Sequence, residues 1–91
     1  MRVYREMTKV LLSNHTDQIR ANRHMTQEDM AEQLRISCRA YGDLEREKYC
    51  FSSSALLFLL EMMEDDEVHS LLCGFQTQVY NLEHSVDYGQ F

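Results

Sequence analysis

The residues that could carry out metal or redox chemistry in this chain are four histidines and three cysteines. His69 and Cys73 lie four positions apart, a spacing that can hold a metal ion when both residues lie on one helix. Zinc sites are usually tetrahedral, however, and no second pair with a matching spacing occurs. The sequence also contains no glycine-rich phosphate loop and no nucleophile elbow. We therefore expect no metal, no cofactor and no enzymatic activity.

A second set of chemically useful side chains is the group of cations in the middle of the chain. Together they could form a local positive edge that pairs with phosphates: Arg35, Arg39, Arg46 and Lys48. Arg39 is of special interest because an arginine can bind a guanine edge through two hydrogen bonds. The elements that position these cations then decide what the cations can contact.

Two short helices are predicted around these residues. Thr26 is a good N-cap and Asp29, three positions later, can complete a capping box, so the first helix begins at Gln27. Its apolar stripe consists of Met30, Ala31 and Leu34. Ser37 is the next N-cap, which predicts a helix over 38–46 with Tyr41 and Leu44 facing the first helix.

The opposite face of helix 38–46 is predicted to point outward. It carries Cys38, Arg39, Gly42, Asp43 and Arg46. Gly42 costs roughly 1 kcal/mol relative to alanine inside a helix, which suggests a close approach either to a nucleic-acid backbone or to a neighbouring helix. A short exposed helix of this kind is typical of binding in a groove.

The chain resembles the lambda-repressor-like helix-turn-helix family, the Cro and XRE type of transcriptional regulator, over roughly residues 10 to 63. The residues that match the pattern in order are Arg20, Thr26 to Ala31, Leu34, Ile36, Ser37, Tyr41, Leu44 and Glu45. The turn and the end of the second helix depart from it, because Arg35 and Arg46-Glu47 stand where the family usually has glycine-containing sequences.

This resemblance implies roles for individual residues. It implies an ion pair between Arg20 and Glu45, and phosphate contacts by Gln27 and Ser37. It also implies that base edges are read from the start and middle of the second helix, by Cys38, Arg39 and Asp43. Asp43 has an alternative role as a brace for the helix.

Composition favours one all-α domain. The 91 residues include no proline, no tryptophan and three glycines, and the β-branched residues do not alternate as they do in strands. All nine lysines and arginines lie between Arg2 and Lys48, while the remainder carries seven acids. The net charge of −6 argues against loose binding of nucleic acid but less against specific binding. The odd number of cysteines indicates reduced thiols, and no membrane span or signal peptide is apparent, so we expect a cytoplasmic protein.

Five helices are predicted, and the last carries an apolar seam. Its members recur at spacings of four and three, as in a coiled coil: Val68, Leu72, Phe75, Val79, Leu82 and Val86. The seam either caps the monomer core or pairs with a second copy. We accordingly divide the compact five-helix domain into a helix-turn-helix core over 1–64 and a C-terminal helix over 65–91 as a dimerisation element.

The function expected from these observations is transcriptional regulation, as a repressor, by a homodimer that binds double-stranded DNA without membrane or small-molecule partners. Helix 38–46 would read the major groove. A rival interpretation is a protein-interaction module of the same fold, which binds a larger regulator or a toxin and has weak or no affinity for DNA.

Overall fold

The computed structural model describes the backbone of residues 2–90 and the side chains of residues 3–84. Within this part of the chain there are five helices and no strand, so the all-α prediction is confirmed. The helices are α1 (Arg2–Asn22), α2 (Gln27–Leu34), α3 (Cys38–Glu45), α4 (Ser53–Met62) and α5 (Asp65–Gln90). The second predicted helix therefore ends one residue early, because Arg46 is its C-cap. No helix among the described residues is both long and apolar enough to cross a membrane.

Side-chain caps set where α2, α3 and α4 begin. Thr26 and Asp29 form the predicted capping box, with Thr26 Oγ1 accepting from Asp29 N–H at 3.0 Å and Asp29 Oδ2 accepting from Thr26 N–H at 2.9 Å. Ser37 caps α3 through Ala40 N–H, and Ser52 caps α4 through Ala55 N–H. Each cap satisfies a backbone donor that the helix itself leaves unpaired.

The hydrophobic core lies where α2 packs against α3 and α4, and α1 packs against α3 and α5. The most deeply buried side chains are Tyr41, Met30, Leu34, Leu59 and Thr16. The α2 stripe and the inward residues of α3 are therefore buried as the spacing predicted. Helix α3 is consequently fixed by its inner face, which leaves its outer face for other contacts.

Helix α5 lies against α1, and the two run in opposite directions. Arg23 at the end of α1 pairs with Glu67 at the start of α5 at 2.7 Å, and Tyr4 OH donates to Glu83 Oε2 at 2.5 Å. Gly74 allows the close approach between them, because a Cβ at this position would lie 3.4 Å from Leu11 Cδ1. This packing fixes which face of α5 remains outside the core.

Three successive helices end in a Schellman motif whose left-handed residue is not glycine. These residues are His24, Arg35 and Glu47, with φ of 54°, 58° and 62°. After α3, for example, Lys48 N–H donates to Asp43 O at 2.9 Å and Glu47 N–H donates to Leu44 O at 3.1 Å. The turns thus keep their geometry without the usual glycine, at a cost of roughly 1 kcal/mol or more each.

Replacing Glu47 by glycine is therefore expected to stabilise the protein. Glu47→Gly removes the Cβ that disfavours positive φ, and the gain should be about 0.5 to 1 kcal/mol, or roughly 3 to 6 °C in melting temperature. Glu47→Ala is the matched control, because it loses the same charge but keeps the Cβ. If thermal denaturation shows an equal gain for both variants, the charge and not the backbone is responsible.

Candidate nucleic-acid interface

The outer half of α3 is open to solvent at its amino-terminal end. Ser37, Cys38 and Arg39 are exposed, while Tyr41 is completely buried on the inner side. Within the described part of the chain, Arg39 makes no ion pair and no side-chain hydrogen bond. Arg39 is therefore a cation whose guanidinium is available to an external ligand.

The prediction that Gly42 points outward is wrong, because Gly42 is buried. The guanidinium of Arg46 covers it, with Nη1 3.3 Å from the position that a Cβ would occupy. Arg46 is held there by Asp43, whose Oδ1 lies 2.7 Å from Nη2 and whose side chain is only 14% exposed. The close neighbour of Gly42 is thus the Arg46 side chain one turn later, and Asp43 acts as its brace.

The other two cations of the predicted positive edge are exposed but already make contacts within the chain. Arg35 lies over the ring of Phe58, 4.2 Å from its centroid, and Nη1 donates to Gln33 O at 2.6 Å. Lys48 Nζ lies 5.9 Å from the ring centroid of Tyr49. Since flexible exposed cations can leave such contacts at low cost, both remain able to pair with phosphates.

Glu45 is the centre of a hydrogen-bond network behind this surface. Its Oε2 accepts from Arg20 Nε at 2.9 Å and from Tyr41 OH at 2.7 Å, and its Oε1 accepts from Gln27 Nε2 at 2.7 Å. The structure thus brings together Arg20 and Glu45, the two residues that the resemblance pairs. Their contact also fixes the side chain of Gln27 at the start of α2.

Sequence reasoning missed two members of this arrangement. Helical spacing predicts Tyr41 only as a core residue, although its spacing of four from Glu45 on one helix permits the observed hydrogen bond. Ser13, which is buried, donates from Oγ to the main-chain oxygen of Glu45 at 2.9 Å. No local pattern identifies Ser13, because its partner lies 32 residues away.

The network changes the pKa values of Glu45 and Tyr41. Burial alone would raise the pKa of Glu45, but its three hydrogen bonds and the charge of Arg20 outweigh burial and hold this pKa below its ordinary value. Burial, followed by the hydrogen bond to Glu45, raises the pKa of Tyr41. At neutral pH the carboxylate is therefore charged and the phenol is protonated, as the hydrogen bonds require.

Stability is expected to decline in acid because of Glu45. Its folded pKa is lower than its unfolded pKa of about 4.3, so its contribution is complete above that value and is lost as pH falls through the folded pKa. Denaturant unfolding of the wild type and of Glu45→Gln, from about pH 7 to about pH 3, measures this contribution. The difference between their free energies of unfolding should shrink in acid. A difference that stays constant over the whole range would contradict this assignment.

Ser37 and Gln27 each retain a donor for an external acceptor. Ser37 Oγ accepts the cap hydrogen bond, which leaves its hydroxyl hydrogen available. The Gln27 amide donates one N–H to Glu45 and has a second N–H. Each of these groups can therefore donate a hydrogen bond to an anion such as a phosphate.

The predicted seam of α5 is partly open. Leu72 and Phe75 are exposed, whereas Val68, Val79 and Leu82 are half-buried, and Val86 lies outside the described side chains. We call the exposed apolar face around Leu72, Phe75 and Val79 the α5 strip. Beside it lies an apolar groove between α1, α4 and α5, lined by Thr8, Leu11, Leu12, Leu56, Leu60, Leu71, Leu72 and Phe75. Met63 and Leu71 are buried and therefore do not extend this surface.

Comparisons of this chain with protein-family models, with curated proteins and with solved structures found no match. The geometry of α2, α3 and the α5 strip is therefore the basis for a functional assignment.

Proposed function

We propose that this protein is a sequence-specific DNA-binding transcriptional regulator, a repressor, that acts as a homodimer. In this proposal α2 and α3 form a lambda-repressor-like helix-turn-helix, and α3 enters the major groove. The observation that carries the proposal is the exposed amino-terminal half of α3, where Arg39 has no partner among the described residues while Tyr41 anchors the opposite side.

The dimensions of α3 suit this role. An α-helix with its side chains is about 10 to 12 Å in diameter and the major groove is about 12 Å wide, so the exposed end of α3 can lie in the groove. Arg39, the second residue of α3, is then the side chain best placed to donate two hydrogen bonds to guanine. Cys38 lies beside it as a small exposed side chain that leaves room for this contact.

Phosphate contacts are assigned to groups near the two ends of α3. Ser37 and Gln27 supply the donors described above, and the helix dipole of α3 adds a favourable potential at its amino end. Arg46 and Lys48 are exposed at the carboxyl end of α3, where Gln27 contacts Glu45. These groups would orient the helix in the groove without reading sequence.

Dimerisation is assigned to the α5 strip and its adjoining groove. An exposed apolar face on a small protein is costly unless a partner covers it. A second copy covers the same face on both molecules when the pair has two-fold symmetry. Such a dimer would place two α3 helices on half-sites about 34 Å apart.

Truncating Leu72 is expected to weaken this dimer. Leu72→Ala removes apolar area from the strip and should raise the dimer dissociation constant about tenfold, equivalent to roughly 1.4 kcal/mol. Leu57→Ala is the matched control, since Leu57 is 65% exposed and Leu72 is 59% exposed, but Leu57 lies on the outer face of α4. Sedimentation equilibrium that shows equal effects of the two variants, or no self-association of the wild type, would remove the strip from the proposal.

The proposal as a whole is tested by selecting bound duplexes from a random DNA library. We expect enrichment of a two-fold symmetric site and a steep loss of affinity between about 50 and about 200 mM salt. Failure to enrich any sequence at either salt concentration would contradict DNA recognition.

A protein-interaction module is the second candidate. The acidic surface of α2 favours it, because acidic side chains repel the phosphates of DNA. Glu28, Asp29 and Glu32 are exposed on α2, close to the proposed phosphate contacts, and the whole chain has a net charge of −6. If the protein instead binds a partner through the apolar α5 strip, Leu72→Ala weakens that association about tenfold, and salt barely affects it.

A further inference from the structure

His69 and Cys73 form a close pair on the outer side of α5. The distance from Cys73 Sγ to His69 Nε2 is 3.4 Å, and both residues are exposed. Helix α5 is fixed behind them because Leu71 is buried and Gly74 packs against Leu11 of α1. The two side chains therefore project from a rigid support, and neither belongs to the interface proposed for DNA or to the α5 strip.

The separation of the two atoms matches that of two ligands on one metal ion. Bonds of about 2.3 Å to sulfur and about 2.0 to 2.1 Å to nitrogen, at a tetrahedral angle, place the two ligand atoms about 3.6 Å apart. The observed 3.4 Å differs from this by a fraction of an ångström. A metal ion could therefore replace the present contact with almost no movement of α5.

We propose that His69 and Cys73 together bind one metal ion per chain. The ion belongs to the metals that bind thiolate and imidazole ligands, such as Zn²⁺. Imidazole and thiolate ligands select such ions over magnesium or calcium. As the bond from Sγ to the metal forms, the thiol proton passes to solvent, and imidazole binds through its unprotonated nitrogen.

Water completes the coordination in this proposal. Among the described residues no group of three or more histidine, cysteine or acidic side chains is placed to hold a metal. The sequence-based objection that two ligands cannot close a zinc site thus still applies, and the proposed site is open. An open site with two protein ligands exchanges its metal readily and is not needed for folding.

Cobalt(II) is the probe, because a thiolate bound to cobalt gives a near-ultraviolet charge-transfer band. The reduced full chain is titrated with Co²⁺, alongside Cys73→Ser, His69→Ala and the control Cys38→Ser. Cys38 is the matched control because its thiol is also exposed. We expect a saturable band at one cobalt per chain in the wild type and in Cys38→Ser, and its loss in the other two variants. Zn²⁺ should displace the cobalt and abolish the band.

Two results would overturn the proposal. One is the absence of a saturable band in the wild type, and the other is a band that persists in Cys73→Ser or His69→Ala. Far-ultraviolet circular dichroism separates loss of binding from loss of folding, since both substituted side chains are exposed and helix content should not change. The outcome is also independent of DNA binding, which does not involve this face of α5.

Discussion

Arg39→Ala should lower the affinity for the selected DNA site by about 1 to 3 kcal/mol, which is roughly 5- to 150-fold, and relax the preference at one base pair. The physical reason is that Arg39 has no partner within the described part of the chain, so all of its guanidinium donors are available to a base edge. The melting temperature should hardly change, because an exposed side chain without contacts contributes little to stability. Fluorescence anisotropy with the selected duplex and with single-base variants measures both effects.

Arg5→Ala is the control for Arg39→Ala. Arg5 is also exposed but lies on α1, so its loss changes the net charge equally without touching α3. It should lower affinity only slightly and to the same degree for every duplex. Equal losses for the two variants, with no change in sequence preference, would mean that α3 does not read bases through Arg39.

Glu45→Ala should destabilise the fold by about 2 to 3 kcal/mol. The substitution removes the acceptor that Arg20 Nε shares with the buried hydroxyl of Tyr41. It also releases Gln27, so DNA affinity should fall even at temperatures where the variant is fully folded. Denaturant unfolding measures the first effect, and anisotropy measures the second.

Tyr41→Phe separates the hydrogen bond from the rest of the Glu45 network. This variant keeps the buried ring and removes only the hydroxyl, so it should cost about 1 kcal/mol. If Glu45→Ala lowers the free energy of unfolding no more than Tyr41→Phe does, then the contacts of Glu45 with Arg20 and Gln27 contribute little to stability. The network would then not act as a cooperative unit.

The parts of the fold that could be predicted are those with local causes. The starts of α2 and α3 follow from Thr26 and Ser37, since a cap acts within three residues of itself. The inward stripe of α2 follows from helical spacing in the same way. These features needed no knowledge of the neighbouring elements.

The wrong predictions concern contacts between side chains. The spacing of residues along the sequence does not determine these contacts. Gly42 lies on the outer side by spacing alone, yet the long side chain of Arg46 reaches back over it. Leu71 and Leu72 are adjacent and equally apolar, but packing buries only Leu71. Arg35 and Glu47 occupy positions where glycine is expected, yet both residues adopt positive φ and the left-handed turns are kept. Tertiary packing decides each of these.

The most direct test of the central proposal, that α3 contacts DNA, is mapping of amide chemical shifts. A ¹⁵N-labelled full chain is titrated with the selected duplex and with a scrambled duplex of equal length. We predict that the selected duplex perturbs the amides of residues 37–40 and of Gln27 most strongly, and that the scrambled duplex produces smaller shifts at low salt only. Perturbations confined to α5, or identical responses to both duplexes, would contradict the assignment of α3 as the DNA-reading element.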